Sequence, residues 1–148
     1  MESAGVWSRN RLRQLIEITL PVADAPTGHL AARVLAPSVG VENLVFSELA
    51  KTIHPLLDAL RFWRSKAGAE VDFVVEHEGR VLPVEVKASA GRLLVTRSMR
   101  SFIEAYRPAD FLVAAMGEPA ASMVGRTRIC QVPVHRLAAE VRDWLEKS

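Results

Sequence analysis

The most constraining feature of this chain is the stretch Arg61–Ser89, RFWRSKAGAEVDFVVEHEGRVLPVEVKAS, which sets Asp72, Glu85 and Lys87 inside runs of Val, Phe and Leu. A charge in such a run is costly unless it is paired or bound to a metal. The spacing predicts strands on both sides of a turn. From Glu70 to Glu76, Val71, Phe73 and Val75 fall on one face and Glu70, Asp72 and Val74 on the other. His77-Glu78-Gly79-Arg80 supplies the glycine that a tight hairpin uses. Val81 to Lys87 then returns with Leu82, Val84 and Val86 on one face and Glu85 and Lys87 on the other. If the turn is centred on Glu78 and Gly79, His77 faces Arg80, Glu85 falls opposite Asp72, and Lys87 opposite Glu70. An odd-length loop or a bulge would slip that register.

Directly opposed side chains have Cβ atoms about 4.5–5.5 Å apart, where like charges destabilise. A divalent cation relieves such a pair, and Mg²⁺ is bound through one or two carboxylates plus water and substrate phosphate. Lys87, on the same face, is placed to hold a phosphate oxygen or the attacking water. Taken singly, each of these residues reads better as an ordinary surface charge, with Lys87 neutralising Glu85. Together, in opposed register, they read better as a site.

The rest of the chain frames that hairpin. Residues 6–20, VWSRNRLRQLIEITL, carry Leu12, Leu15 and Ile16 at helical spacing, although Ile18 and Leu20 fit the stripe poorly. Pro21 to His29 has two prolines and a glycine and reads as a linker. Residues 1–35 are therefore expected to be an N-terminal helical arm or the remnant of an upstream domain, and residues 36–148 the domain proper. A break is expected at Pro37. Val41 to Ile53 predicts an amphipathic helix, with Val41, Leu44, Val45, Phe46, Leu49 and Ile53 on one broad arc. Glu42 falls inside that arc and Glu48 near its edge. Residues 56–60, LLDAL, continue as helix or loop, and Arg61 to Arg64 as a strand.

After a loop over residues 88–92, a helix capped by Thr96 or Ser98 runs to Tyr106 with Met99, Phe102, Ile103 and Tyr106 inward, and Pro108 stops it. Phe111 to Met116 is an apolar run of buried-strand type. Residues 117–126 read as a long loop, residues 129–134 as a last, edge strand because Pro133 removes a donor, and residues 136–146 as a closing helix. The fold class is α/β with a mixed sheet: helix, three-stranded meander, crossover helix, strand, then a C-terminal strand and helix. The crossover makes the strands on either side of it parallel.

Charge and cysteine usage exclude several classes. Cys130 is the only cysteine, which rules out an internal disulfide and a multi-Cys zinc site. No apolar run reaches the length of a membrane span, and MESAGVWSRNRLRQ has no signal-peptide core, so the cytoplasm is the expected location. The net charge of +2 does not by itself announce nucleic-acid binding. Its distribution is more suggestive: Arg92, Arg97 and Arg100 form one local cluster and Arg64 and Lys66 belong to another, although for either cluster alone a solvated face is the simpler reading.

Asp72 followed by Glu85-Val86-Lys87, after a helix bearing Glu42, resembles the PD-(D/E)XK nuclease superfamily. More closely, GVENLVFSEL, FWRSKAGAEVDFVV, LPVEVKAS and MRSFIEAYRPADFLVAA, in that order, resemble the nuclease-like C-terminal domain of a family of prokaryotic AAA+ ATPases of unknown function. The resemblance implies a restriction-endonuclease-like core. It implies that Asp72, Glu85 and the carbonyl of Val86 bind Mg²⁺, with Mn²⁺ as a substitute, and that Lys87 orients or activates water. Glu42 would help to hold metal or water. The spacing Gly40-Val41-Glu42 is shorter than the family pattern, which leaves Glu48 as the second candidate for the helix carboxylate.

The implied reaction is metal-dependent endonucleolytic hydrolysis of DNA, with Arg64, Lys66, Arg92, Arg97 and Arg100 contacting the nucleic acid. No G-x-x-x-x-G-K-[ST] motif is present, so an ATPase or helical domain outside this chain is an expected partner, and a homodimer is left open. The alternative is a catalytically silent module of an ATPase-associated protein that binds nucleic acid or protein through the same fold. A less favoured third reading is a structural fragment of a larger enzyme.

Overall fold

The computed structural model describes residues 15–17, 37–54 and 56–147. Among them, six strands between residues 58 and 133 and three helices form one mixed α/β unit, and a three-residue strand is added at one edge. In chain order these are β1 (Leu15–Glu17), α1 (Pro37–Thr52), β2 (Asp58–Arg64), β3 (Glu70–His77), β4 (Arg80–Lys87), α2 (Arg97–Tyr106), β5 (Asp110–Ala115), β6 (Ala120–Val124), β7 (Thr127–Pro133) and α3 (Leu137–Glu146), with a 3₁₀ turn over Val134–Arg136. The spatial order is β1-β2-β3-β4-β5-β7-β6. β2, β3 and β4 form an antiparallel meander, β4, β5 and β7 run parallel, and β6 returns antiparallel to β7. α2 is the crossover between the parallel neighbours β4 and β5.

Each face of the sheet has its own core. On one, Val45 and Leu49 of α1, Ile53 just after it, and Leu137, Val141 and Trp144 of α3 pack on Phe73, Val75, Leu82, Val84 and Leu112. On the other, Met99, Phe102, Ile103 and Tyr106 of α2 pack on Trp63, Val71, Val74, Val81, Phe111, Val113 and Ile129. The second core is aromatic. Phe102 stacks on Tyr106 with centroids 4.5 Å apart, and meets Trp63 edge to face at 5.3 Å. Such pairs add about 0.5–1.5 kcal/mol each beyond their buried area. α2 shows its sequence logic plainly: Thr96 caps it, accepting from Met99 N at 3.2 Å. Arg107 closes it in the left-handed conformation (φ 48°), giving its N–H to Ile103 O just before Pro108.

Several expectations are corrected. Residues 15–17 are not helical: they pair antiparallel with Arg61–Trp63 as β1. Ile16, Ile18 and Leu20 also fit a period of two, and that signal outweighs the imperfect helical stripe. The remainder of the helix expected over 6–20 and the linker at Pro21–His29 lie outside the described residues. Pro37 does not break the chain but opens α1, where its fixed φ suits the first turn and its missing N–H has no helical partner to lose. Asp58–Leu60 belongs to β2 rather than to a helix or loop.

The loop expected over 117–126 contains β6, which is the edge strand, while β7 is interior. Pro133 is tolerated in β7 because β6 covers that strand only as far as Gln131. Among the described residues no helix is long and apolar enough to cross a membrane.

Candidate functional site

The site grows out of the β3–β4 hairpin. Its turn is two residues, Glu78 (φ 48°) and Gly79 (φ 75°), both left-handed, the arrangement whose twist matches that of the flanking strands. With the turn fixed, His77 pairs with Arg80 and the register runs unbroken to Phe73 opposite Val84. There the ladder gives way. β2 advances two residues, Arg61 to Trp63, while β3 advances three, Val74 to Val71, so β3 carries a bulge at Asp72–Phe73. The bulge breaks the expected alternation: Val71 joins Trp63 and Val74 under α2, while Phe73 and Val75 face α1 and α3.

At the bulge Asp72 replaces a backbone partner with its side chain. Its Oδ2 accepts the N–H of Val86 at 2.8 Å. Along β4, Leu82, Val84 and Val86 lie on the α1 face and Val81 on the α2 face, so Glu85 and Lys87 share the α2 face. Glu85 is 7% exposed, and its Oε1 receives Lys87 Nζ at 2.5 Å. Its Oε2 is buried with no hydrogen-bond partner. Burial pushes the Glu85 carboxyl above its ordinary value; the hydrogen bond and charge of Lys87 oppose this, and the Asp72 carboxylate adds to it. Asp72 is likewise raised, first by burial and then by Glu70, against the Val86 N–H and Lys87. The structure therefore brings Asp72, Glu85 and Lys87 within electrostatic reach of one another, with both carboxyls biased toward holding a proton.

α2 starts beside this group. Ser98, in its first turn, accepts the N–H of Glu70 at 3.3 Å, which ties the start of β3 to the start of the helix. Arg64 reaches Glu70 across the β2–β3 ladder at 2.5 Å. Lys66, Arg92, Arg97 and Arg100 are exposed, Arg97 and Arg100 in the opening turn of α2. The basic residues singled out in the sequence are thus all exposed, and Arg64 is held by Glu70.

The helix carboxylates sit on an element across the sheet. α1 packs on the opposite face of the sheet. Glu42 is exposed although its angular position falls within the apolar arc, because the fully buried stripe begins only at Val45. Glu48 pairs with Lys51 at 3.3 Å. Among the described residues no group of three or more His, Cys, Asp or Glu is placed to hold a metal ion.

Sequence reasoning missed Gln131. It is 5% exposed in the middle of β7, and its Nε2 donates to Gly91 O (3.2 Å) and Glu118 O (2.9 Å), strapping the loop after β4 to the loop after β5. The available signal was a lone amide inside the apolar run Ile129–Val134, a place where a polar group needs a partner.

Residues 40–135 match the family described as a domain of unknown function, DUF4143, and the chain belongs to that family. No curated protein matches it.

Proposed function

We propose that this DUF4143 member hydrolyses phosphodiester bonds in DNA with the help of Mg²⁺, through Asp72, Glu85 and Lys87 on a restriction-endonuclease-like core. The observation that carries the reading is Glu85 Oε2, a buried carboxylate oxygen without a partner beside a second carboxylate whose own burial raises its pKa. Left as they stand, two such groups are unfavourable. A hard divalent cation suits them, since Mg²⁺ takes oxygen ligands and uses one or two carboxylates with water and substrate phosphate making up the rest. Asp72 and Glu85 would hold it, with the Val86 carbonyl as the third oxygen that the resemblance implies. Bound there, the ion supplies charge stabilisation to the phosphoryl oxygens and lowers the pKa of water.

The chain's own residues do the remaining work. The Val86 N–H fixes the Asp72 carboxylate and thereby its direction. Lys87 Nζ holds Glu85 Oε1 and leaves Oε2 for a ligand; with 40% of its side chain exposed, it also reaches toward solvent, where it orients water or neutralises a phosphate oxygen. The exposed Lys66, Arg97 and Arg100, and Arg64 where it can leave Glu70, would supply positive charge to a polyanion. An ATPase domain in trans or on a longer chain is the proposed partner.

The test is nicking of supercoiled plasmid with Mg²⁺ or Mn²⁺, compared between wild type and Asp72→Ala. Wild type is expected to nick and the variant to lose activity; no cleavage by wild type with either ion overturns the proposal. A second reading, a module that binds nucleic acid without cutting, is favoured by one observation: among the described residues no group of three or more His, Cys, Asp or Glu is placed to hold a metal ion. It predicts salt-dependent DNA binding with no cleavage.

A further inference from the structure

The strand pairings set Glu85, Val113, Gln131 and Ala120 in one row across β4, β5, β7 and β6. Glu85 and Val113 belong to the α2 face, and residues paired across a ladder share a face, so Gln131 and Ala120 do too. Two strand spacings, about 10 Å, separate Gln131 from Glu85. At the Gln131 end of the row lies an open cleft of about 450 Å³ between residues 90–93 and 117–122, with Gln131 in its lining. That size falls within the range of small-molecule sites, roughly 300–1,000 Å³. The cleft therefore continues the carboxylate site along the same face, at the C-terminal ends of parallel strands.

Its chemistry follows from Gln131. Two backbone carbonyls accept from Nε2, which uses both amide hydrogens and fixes which end of the side chain is which. Oε1 remains, with no protein partner among the described residues, on a side chain that is otherwise buried. Gly117 makes the arrangement possible: a Cβ there would stand 3.3 Å from Gln131 Nε2 and 3.3 Å from Gly91 O. The walls are apolar at Leu93, Pro119 and Ala120, with Arg92 and Glu118 also lining the cleft. An acceptor oxygen at the Gln131 end disfavours a phosphate group at that point of the cleft. It favours a ligand that is flat, largely apolar and carries an N–H donor.

We infer that this cleft receives one unpaired nucleobase of the nucleic acid whose phosphodiester lies at Asp72 and Glu85. Each base carries an N–H on its pairing edge, and that edge is available to Gln131 Oε1 only when the base is out of a duplex. Leu93 and Pro119 offer the apolar surfaces on which a base face rests, and Arg92 is placed for a flanking phosphate. The inference rests on the phosphodiesterase reading for the position of the strand, and it identifies the substrate of that site as single-stranded or locally opened DNA.

The experiment measures binding of a fluorescent single-stranded oligodeoxynucleotide in EDTA, by anisotropy, against the same oligonucleotide made abasic at every position. Wild type and Asp72→Asn are expected to bind the intact strand at least tenfold more tightly than the abasic one. Ala120→Leu fills the cleft from the edge strand while leaving the Gln131 strap in place, and is expected to bind both strands equally weakly. Gln131→Leu is expected to do the same, and circular dichroism of both variants separates lost binding from lost fold. Equal binding of intact and abasic strands by wild type overturns the inference, as does an unchanged preference in folded Ala120→Leu. The two proposals fail separately. Cleavage with Mg²⁺ but no base dependence removes only the base cleft, whereas base-dependent binding without cleavage removes only the hydrolytic reading.

Discussion

The two ends of the β3–β4 hairpin treat buried charge in opposite ways. At the turn end, Asp58 is nearly sealed, with 3% of its side chain exposed. Its Oδ1 pairs with His77 Nδ1 at 2.5 Å and its Oδ2 accepts from His54 N at 2.6 Å. Arg80 lies 4.5 Å over the Trp144 ring and donates to the Trp144 carbonyl at 3.3 Å, so the hairpin is riveted to α3. One guanidinium nitrogen, Nη2, lacks a hydrogen bond, but the guanidinium has the indole face against it. At the open end, the same two strands bury Asp72 and Glu85 with a single lysine between them, and Glu85 Oε2 has nothing. One end satisfies its polar groups from within the fold; the other leaves an oxygen to be satisfied by something else. That difference, within one hairpin, separates a structural rivet from the proposed metal site.

The largest expected effect tests the open end. Glu85→Gln should reduce Mg²⁺-dependent plasmid nicking by about 10²–10³-fold, roughly 3–4 kcal/mol of barrier, with the fold intact. If the same change melted the protein instead, the open end would be structural and the contrast would collapse. Next in size, His77→Ala removes the hydrogen-bond partner of the buried Asp58 Oδ1 and should cost about 1–3 kcal/mol in urea denaturation. Nicking per folded molecule should change by no more than about twofold if the two ends are independent.

A pH series sharpens the comparison further. Asp72 and Glu85 both titrate above their ordinary values of 3.8 and 4.5 in the folded state. The native protein therefore holds protons that the unfolded chain has released, and stability falls as pH rises from those ordinary values through the raised native ones. Asp72→Asn and Glu85→Gln should each flatten that fall, as measured by thermal melts across the acid range, and millimolar Mg²⁺ should raise the neutral-pH melting temperature of wild type only. The smallest effect is at the cap of α2. Thr96→Ala should cost about 1 kcal/mol and leave the acid slope unchanged, because it removes a helix cap rather than a charge.

Much of the hairpin was legible because a two-residue turn carrying Gly79 fixes register, and register with a period of two fixes faces. The bulge at Asp72–Phe73 was not, since nothing in AEVDFVV marks an extra residue; it arises from pairing with β2, a partner distant in sequence. α2 was readable, with its cap narrowed to Thr96 or Ser98, because Met99, Phe102, Ile103 and Tyr106 form a clean stripe that Pro108 stops; the structure settles the cap on Thr96. β6 was hidden because Ala120–Val124 is mostly small and exposed, so no hydrophobic alternation betrays a strand held by a single neighbour. Glu42 is exposed rather than inward because a helical wheel gives an angle but not the depth along the axis at which the sheet begins.

The meander has one more consequence, for the order in which the molecule assembles. Asp72, Glu85 and Lys87 are brought together by antiparallel neighbours within residues 58–87, whereas the strap of the cleft joins Gly91, Glu118 and Gln131. Antiparallel neighbours close over short loops, but β5 can pair with β4 only after the chain has passed through α2. Contacts close in sequence form faster, so pulsed hydrogen exchange should protect amides of Val74–His77 before those of Phe111–Ala115. The two carboxylates then meet while water still reaches them. Their mutual repulsion becomes costly only in the last step, when α2 settles over the sheet.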